Sequence, residues 1–299
     1  MRTFSLSRFL LIIMLLLPFL GFAQEETSAS SENTPESAQT DSTNSNTPSS
    51  TDTSEPFDSV AFRKSILSFQ AGVFREDVVR QIKEHILPVQ VGEYALQSIM
   101  GKSLLGVNQG QVTFIAPAQG NSRLFTLYQR LARIFNEHGF TTSVVLVPLG
   151  LTTPQALTDA AKEWEAPLAA IHQAKSSDAP IKLVVSQGQI AATLLTLYKE
   201  GKVQAPNALI MHDVFFSAYE DNQTIPDLIR QQPMPLLDFT SRSDSVWSQQ
   251  TKRARQFAGK VRQNGTYRQR RILGQDMSPK QAHYIHKEIR GWIRSLGWI

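Results

Sequence analysis

From Gln111 to the end of the chain, short apolar runs alternate with longer segments that are apolar on one face only. No other feature of the sequence constrains the fold as strongly. Val112-Thr113-Phe114-Ile115-Ala116 precedes a segment from Ser122 to about His138, where Leu124, Leu127, Leu131, Ile134 and Phe135 recur at helical spacing. Gly139 stands where a C-terminal cap belongs. The strand Ser143 to Val147 leads to a helix from Thr153 to about Ala174, with Pro154 in its first turn. Ile181 to Val185 and a helix through Tyr198 follow, then the strand Ala208 to Met211 and a short helix near Ile225 to Arg230. Leu236 to Phe239, a helix from about Asp244 to Gln263, and a strand Tyr267 to Leu273 continue the series. The last helix opens at Ser278-Pro279-Lys280-Gln281, an N-cap serine with a proline at the first helical position and a glutamine three residues after the cap. Its apolar stripe is Ala282, Ile285, Ile289, Trp292, Ile293 and Leu296. Apolar strands separated by amphipathic helices predict an α/β domain, a mostly parallel sheet with helices on both faces.

The residues before Gln111 divide into three parts. Arg2 and Arg8 precede an apolar run from Phe9 to Leu20, and Gly21-Phe22-Ala23 supplies small residues before Gln24. That is the layout of a secretory signal peptide over residues 1–23, and it places the protein in the bacterial periplasm. If the segment is not cleaved, it becomes an inner-membrane anchor instead. Residues 24–56 contain no aromatic and no large aliphatic side chain, so they bury too little apolar surface to offset their ordering entropy. They read as a disordered, low-complexity, acidic linker. The folded domain therefore spans 57–299. It opens with two helical patterns in Asp58 to His85 that Pro88 ends, followed by one or two strands in Val89 to Val107 with a turn at Gly101-Lys102.

The chain has no cysteine, which excludes disulfides, thiol catalysis, thiolate metal sites and lipid attachment at a thiol. Residues 1–56 hold 2 of the 30 basic and 7 of the 26 acidic residues, leaving 28 basic against 19 acidic, a net +9. The excess lies at the end: Arg253, Arg255, Lys260, Arg262, Arg268, Arg270, Arg271, Arg290 and Arg294 form a candidate patch for anionic surfaces. Anionic envelope components suit such a patch, and export argues against nucleic acid. A solvated surface that aids solubility is the plain alternative.

The order of elements from Gln111 onward resembles the α/β-hydrolase superfamily. More narrowly, Phe114-Ile115-Ala116-Pro117, the Gly139 to Pro148 unit, Ser186-Gln187-Gly188-Gln189 and Ile289-Arg290-Gly291-Trp292-Ile293-Arg294 resemble an uncharacterised bacterial secreted family, domain-of-unknown-function family 3530. The resemblance implies an oxyanion loop at Ala116 to Asn121. It also implies a nucleophile on the turn after Ile181 to Ser186, flanked by small residues two positions to either side. Laid on this chain, the first small position is Ser186, the nucleophile position is Gly188, and the second small position is Ile190. Glycine keeps such a turn without strain but has no group to attack with.

The other implied roles fare unevenly. Asp244, after Leu236 to Phe239, stands where the fold places the triad acid, although a helix cap is the simpler role there. Asp213 is a second acid candidate, and Asp238, inside a strand, reads as structural. The loop Gly274 to Met277 contains no histidine where the base is expected. His283 and His286 fall mainly on the polar side of the last helix and read as surface residues. A His283–Asp244 pair is the remaining arrangement of base and acid. At i and i+3 the two histidines could share a metal, but no third ligand accompanies them, and no cofactor is implied. Ser186 is the only displaced nucleophile candidate, and Ser122 reads as a helix cap. The expected function is a periplasmic protein that uses a hydrolase-like scaffold, without the standard triad, for binding or interaction. The alternatives are an esterase-type hydrolase with a rearranged site and a lipid or small-molecule carrier using the crevice above Gly120, Gly188 and Asp213.

Overall fold

A computed structural model describes residues 86–91, 94–117, 122–147, 179–262, 265–272 and 278–299. The signal segment, the linker, the helices expected in Asp58 to His85 and Thr153 to Ala174, and the loops at 118–121 and 273–277 lie outside the described residues.

The strands are β1 (Ile86–Val91), β2 (Tyr94–Gly101), β3 (Gly110–Pro117), β4 (Phe140–Val147), β5 (Lys182–Gln187), β6 (Ala208–His212), β7 (Leu236–Thr240) and β8 (Tyr267–Arg271). The helices are α1 (Ser122–Glu137), α2 (Gly188–Lys199), α3 (Tyr219–Arg230), α4 (Val246–Lys260) and α5 (Ala282–Ser295). One sheet holds the strands in the order β1-β2-β4-β3-β5-β6-β7-β8. β2 runs antiparallel to both neighbours, and every pairing from β4 to β8 is parallel.

Strand alternation explains how the sheet is covered. Leu183 and Val185 of β5, with Phe114 of β3 and Ile210 of β6, pack in a cluster with Leu127, Leu131 and Phe135 of α1 and with Ile285, Ile289 and Trp292 of α5. Val184, Ile115, Leu209 and Met211 point the other way and pack with Ile190, Leu194 and Leu195 of α2, Ile225 and Ile229 of α3, and Ala258 of α4. Both faces are apolar, so both must be covered, and the helices on each side do this.

Several boundaries differ from the sequence reading. The reversal in the first hairpin falls between Val91 and Tyr94, not at Gly101-Lys102, because β2 stays paired as far as Gly101 opposite Thr142. Pro88 lies within β1. α3 begins at Tyr219 and carries Pro226 in its interior, a residue that argues against helix when read alone. α4 is capped by Ser245, whose hydroxyl accepts from the Ser248 N–H at 3.2 Å, so Asp244 is not the cap. Before α5, residues Pro279–Gln281 form a 3₁₀ turn, and the Ser278 side chain makes no capping bond. No helix among the described residues is long and apolar enough to cross a membrane.

Candidate functional site

Between β5 and α2 the chain turns through Gly188, which has φ +64° and is the first residue of the helix. A left-handed residue directly between a parallel strand and a helix is the elbow geometry that the sequence predicts, and glycine adopts it without steric cost. Among the described residues, a Cβ added at Gly188 would meet only the Phe215 ring, at 3.5 Å, an ordinary contact. The elbow is thus capped on that side by an aromatic edge. Gln189 donates to the Ser217 hydroxyl, tying the helix start to the segment after β6. Ile190, at the second small position, is buried in the core beneath α2.

The polar groups near the elbow come from the ends of β6 and β7. His212, the last residue of β6, pairs in register with Gln187 of β5 and is 5% exposed. Its Nε2 lies 3.0 Å from Asp244 Oδ1, within ion-pair distance but away from the line of a well-directed hydrogen bond. Its Nδ1 is buried without a partner among the described residues. Asp244 Oδ2 accepts from the Ser241 N–H at 2.9 Å, and Oδ1 accepts from the Ser241 hydroxyl at 2.5 Å. Burial alone would raise the Asp244 pKa, but the His212 ring and the two Ser241 donors outweigh it and hold the carboxyl below its usual value.

Asp213 follows His212 with φ +50°, a conformation that asparagine and aspartate tolerate better than most residues. Its Oδ1 accepts from the Ser245 N–H and hydroxyl, both at 2.8 Å, which links the end of β6 to the start of α4. Burial, the largest influence, leaves the Asp213 carboxyl above its usual pKa despite those bonds.

The sequence candidates sort differently from expectation. Asp244 stands beside His212, a residue that the sequence alone does not single out, and His283 is exposed on α5. The available signal was a buried strand that ends in His-Asp. Ser186 is fully buried and its hydroxyl has no partner among the described residues. It pairs with Met211 while Gln187 pairs with His212, so Ser186 and His212 point to opposite faces of the sheet. His286 is not a surface residue: it is 5% exposed, with its ring centroid 4.7 Å from Phe135 and 4.5 Å from His138. Burial, then His138, Arg290 and His283, lower its pKa to about 4. Among the described residues no group of three or more histidine and carboxylate side chains gathers as for a metal.

The basic patch is also reduced. Arg255 is completely buried; its Nε donates to Asp238 Oδ2 at 3.0 Å and its guanidinium to the Ser248 carbonyl and the Thr251 hydroxyl, both at 2.8 Å. Burial opposes the charge, but Asp238 outweighs it and holds the guanidinium protonated. The same Asp238 oxygen accepts from the Tyr267 hydroxyl at 2.6 Å and from Gln269 at 3.0 Å, which confirms Asp238 as structural. Arg262 is half-buried and donates to the Gln232 and Met234 carbonyls at 2.7 and 2.8 Å. Arg270 pairs with Glu288 at 3.4 Å. Arg253, Lys260, Arg271 and Arg294 are exposed, and Arg268 and Arg290 half-exposed.

The elements and their order agree with known proteins. A family model described as "Protein of unknown function (DUF3530)" matches residues 17–295. Among solved structures, Est1E from Butyrivibrio proteoclasticus superposes with a TM-score of 0.53 at 10% identity, covering 71% of this chain and 98% of its own. Thermogutta terrifontis esterase 2, phosphorylated by paraoxon, gives 0.53 at 12% identity, covering 72% and 94%. A putative dienelactone hydrolase from Klebsiella pneumoniae gives 0.50 at 11% identity, covering 71% and 96%. At such identities the likeness establishes the α/β-hydrolase fold and nothing about the reaction. No curated protein matches the sequence.

Proposed function

We propose that this chain, which belongs to the DUF3530 family of proteins of unknown function, uses its α/β-hydrolase scaffold for binding or interaction and not for acyl transfer. One observation carries the reading. The residue in the left-handed elbow is Gly188, and the Phe215 ring lies in contact distance of where a nucleophile's Cβ would be. A serine hydrolase needs a hydroxyl there, in reach of a base that an acid orients. The signal-like pattern of residues 1–23 supports a place in the cell envelope for this module.

A second reading draws on the His212–Asp244 pair as base and acid beside the elbow, the His212 Nδ1 having no partner among the described residues. It would be a hydrolase with a rearranged site. Ser186 is a poor nucleophile for it, being fully buried and directed to the opposite face of the sheet from His212.

Incubating the purified protein with a fluorophosphonate probe separates the two. We expect no covalent labelling, and turnover of a p-nitrophenyl ester at the rate of buffer alone. Stoichiometric labelling, lost in Ser186→Ala or not, would overturn the binding reading, as would ester turnover abolished by His212→Ala.

A further inference from the structure

A cavity lies at the end of the strands opposite the elbow. It is about 500 Å³ in volume and opens beside the starts of β3, β5 and β6, where Asn108, Ile181 and Asn207 stand just ahead of the strands, and it is walled by Arg290, Arg294 and Trp298 from the C-terminal helix and its tail. Its volume falls within the range of small-molecule pockets, roughly 300–1,000 Å³. Neither Gly188 nor His212 lines it.

The local chain makes this wall. Arg290 and Arg294 are four residues apart on α5 and so share one helix face. The helix then ends in a turn at Gly297, φ +77°, with the Gly297 N–H donating to the Arg294 carbonyl and the Trp298 N–H donating to the Ile293 carbonyl. That paired bonding is a Schellman turn, and it folds the chain back on the helix it ends. Trp298 is thereby packed partly against the core beside α5 and flanks the two arginines.

The chemistry of the wall is one-sided. Among the described residues the lining contains two guanidinium groups and no Asp or Glu side chain, and Ile299 also lines it. Arg290 Nε is shut off from solvent and has no hydrogen-bond partner among the described residues. The side-chain oxygens of Asn108 and Asn207 are taken up by the Gly110 and Lys182 N–H groups, at 3.2 and 2.7 Å, so their amide NH₂ groups are what remain to face a ligand. Ile181 and Trp298 supply apolar surface beside these donors. Guanidinium forks match carboxylate and phosphate oxygens, and an indole face takes an apolar body.

We infer that this cavity binds a small amphiphilic anion, its carboxylate or phosphate held by Arg290 and Arg294 and its apolar part laid against Trp298 and Ile181. The site stands independently of the elbow and holds whichever reading of the elbow is correct.

The test is calorimetric titration of the full chain with octyl phosphate below its micellar concentration. Octyl phosphate should bind at least about tenfold more tightly than inorganic phosphate, and the double variant Arg290→Gln/Arg294→Gln should lose about tenfold or more in affinity. Trp298→Ala should weaken octyl phosphate while leaving inorganic phosphate unchanged. A phenyl phosphate arm identifies the source: tighter octyl phosphate points to a lipid, tighter phenyl phosphate to a soluble aromatic metabolite. No octyl phosphate binding, an undiminished double variant, or equal binding of neutral octyl glucoside would each overturn the assignment. If the double variant does not fold, the exposed Arg294→Gln alone decides, with a loss of about threefold or more expected against no change.

Discussion

Arg255→Met is the sharpest test of the interior. Arg255 and Asp238 are both fully buried and meet at 3.0 Å, and the guanidinium also serves the Ser248 carbonyl and the Thr251 hydroxyl. Methionine replaces much of the volume, so the cavity it leaves is small and the cost is electrostatic. Asp238 would keep two neutral donors, Tyr267 and Gln269, but lose the one counter-charge in contact with it among the described residues. Stranding one member of a buried pair costs about 3–5 kcal/mol, a large share of a typical total of roughly 5–15 kcal/mol. Urea unfolding at pH 7 measures it as a fall in the midpoint at constant slope. Asp238→Asn added to Arg255→Met removes the stranded charge and should recover part of the loss, which a double-mutant cycle reads directly. Arg253→Met, two residues away and exposed, should stay within about 0.5 kcal/mol of wild type. A loss below about 1 kcal/mol for Arg255→Met, or a double variant as costly as the sum of the singles, would refute the placement of this arginine in the core.

Two further outcomes follow from buried groups. His286 has a folded pKa of about 4 against an ordinary 6.5, so between those values the unfolded chain takes up a proton that the folded protein refuses. Its contribution is complete above pH 6.5 and is lost as pH falls to 4; the gap, at about 1.4 kcal/mol per pH unit, bounds the loss at about 3.5 kcal/mol, and screening reduces it to roughly 1–2. Urea midpoints against pH should therefore fall less steeply in His286→Leu over that window, and parallel curves would contradict the assignment. At Gly259, a Cβ would come within 2.1 Å of Tyr267 Cδ1, and the Tyr267 hydroxyl is held by Asp238, so the ring cannot swing clear. Gly259→Ala should cost about 2–3 kcal/mol, lowering Tm by roughly 5–10 °C; an unchanged melting curve would show the contact to be slack.

Much of the fold was legible because its signals are local. Apolar runs with no polar face marked the parallel strands, and the spacing of Leu124, Leu127, Leu131 and Phe135 marked α1. The elbow followed from a strand, a glycine and a helix in succession, at the place that the resemblance to α/β-hydrolases implies. What failed was pairing across distance and charge taken as exposure. His212 and Asp244 lie 32 residues apart, and nothing in either segment names the other. Arg255 looked like surface because its neighbours are basic, yet Ser248, Thr251, Arg255 and Ala258 are spaced as one helix face and all four are buried. His286 likewise falls in step with Ile289 and Ile293 on the apolar stripe. In both helices the periodicity was the better guide and residue type the worse one.

The same periodicity bears on what the elbow can do. In a strand, moving one residue along reverses the direction of the side chain. β5 and β6 pair Ser186 with Met211 and Gln187 with His212, so the Ser186 hydroxyl and the His212 imidazole are committed to opposite faces. Ser186 shares its face with Val184, which packs with α2 and α3, and no rotamer carries it through a hydrogen-bonded sheet. In the left-handed turn beyond the strand end a side chain is free of this alternation. That position is Gly188. A glycine there keeps the left-handed turn without strain and presents no hydroxyl to the His212–Asp244 pair.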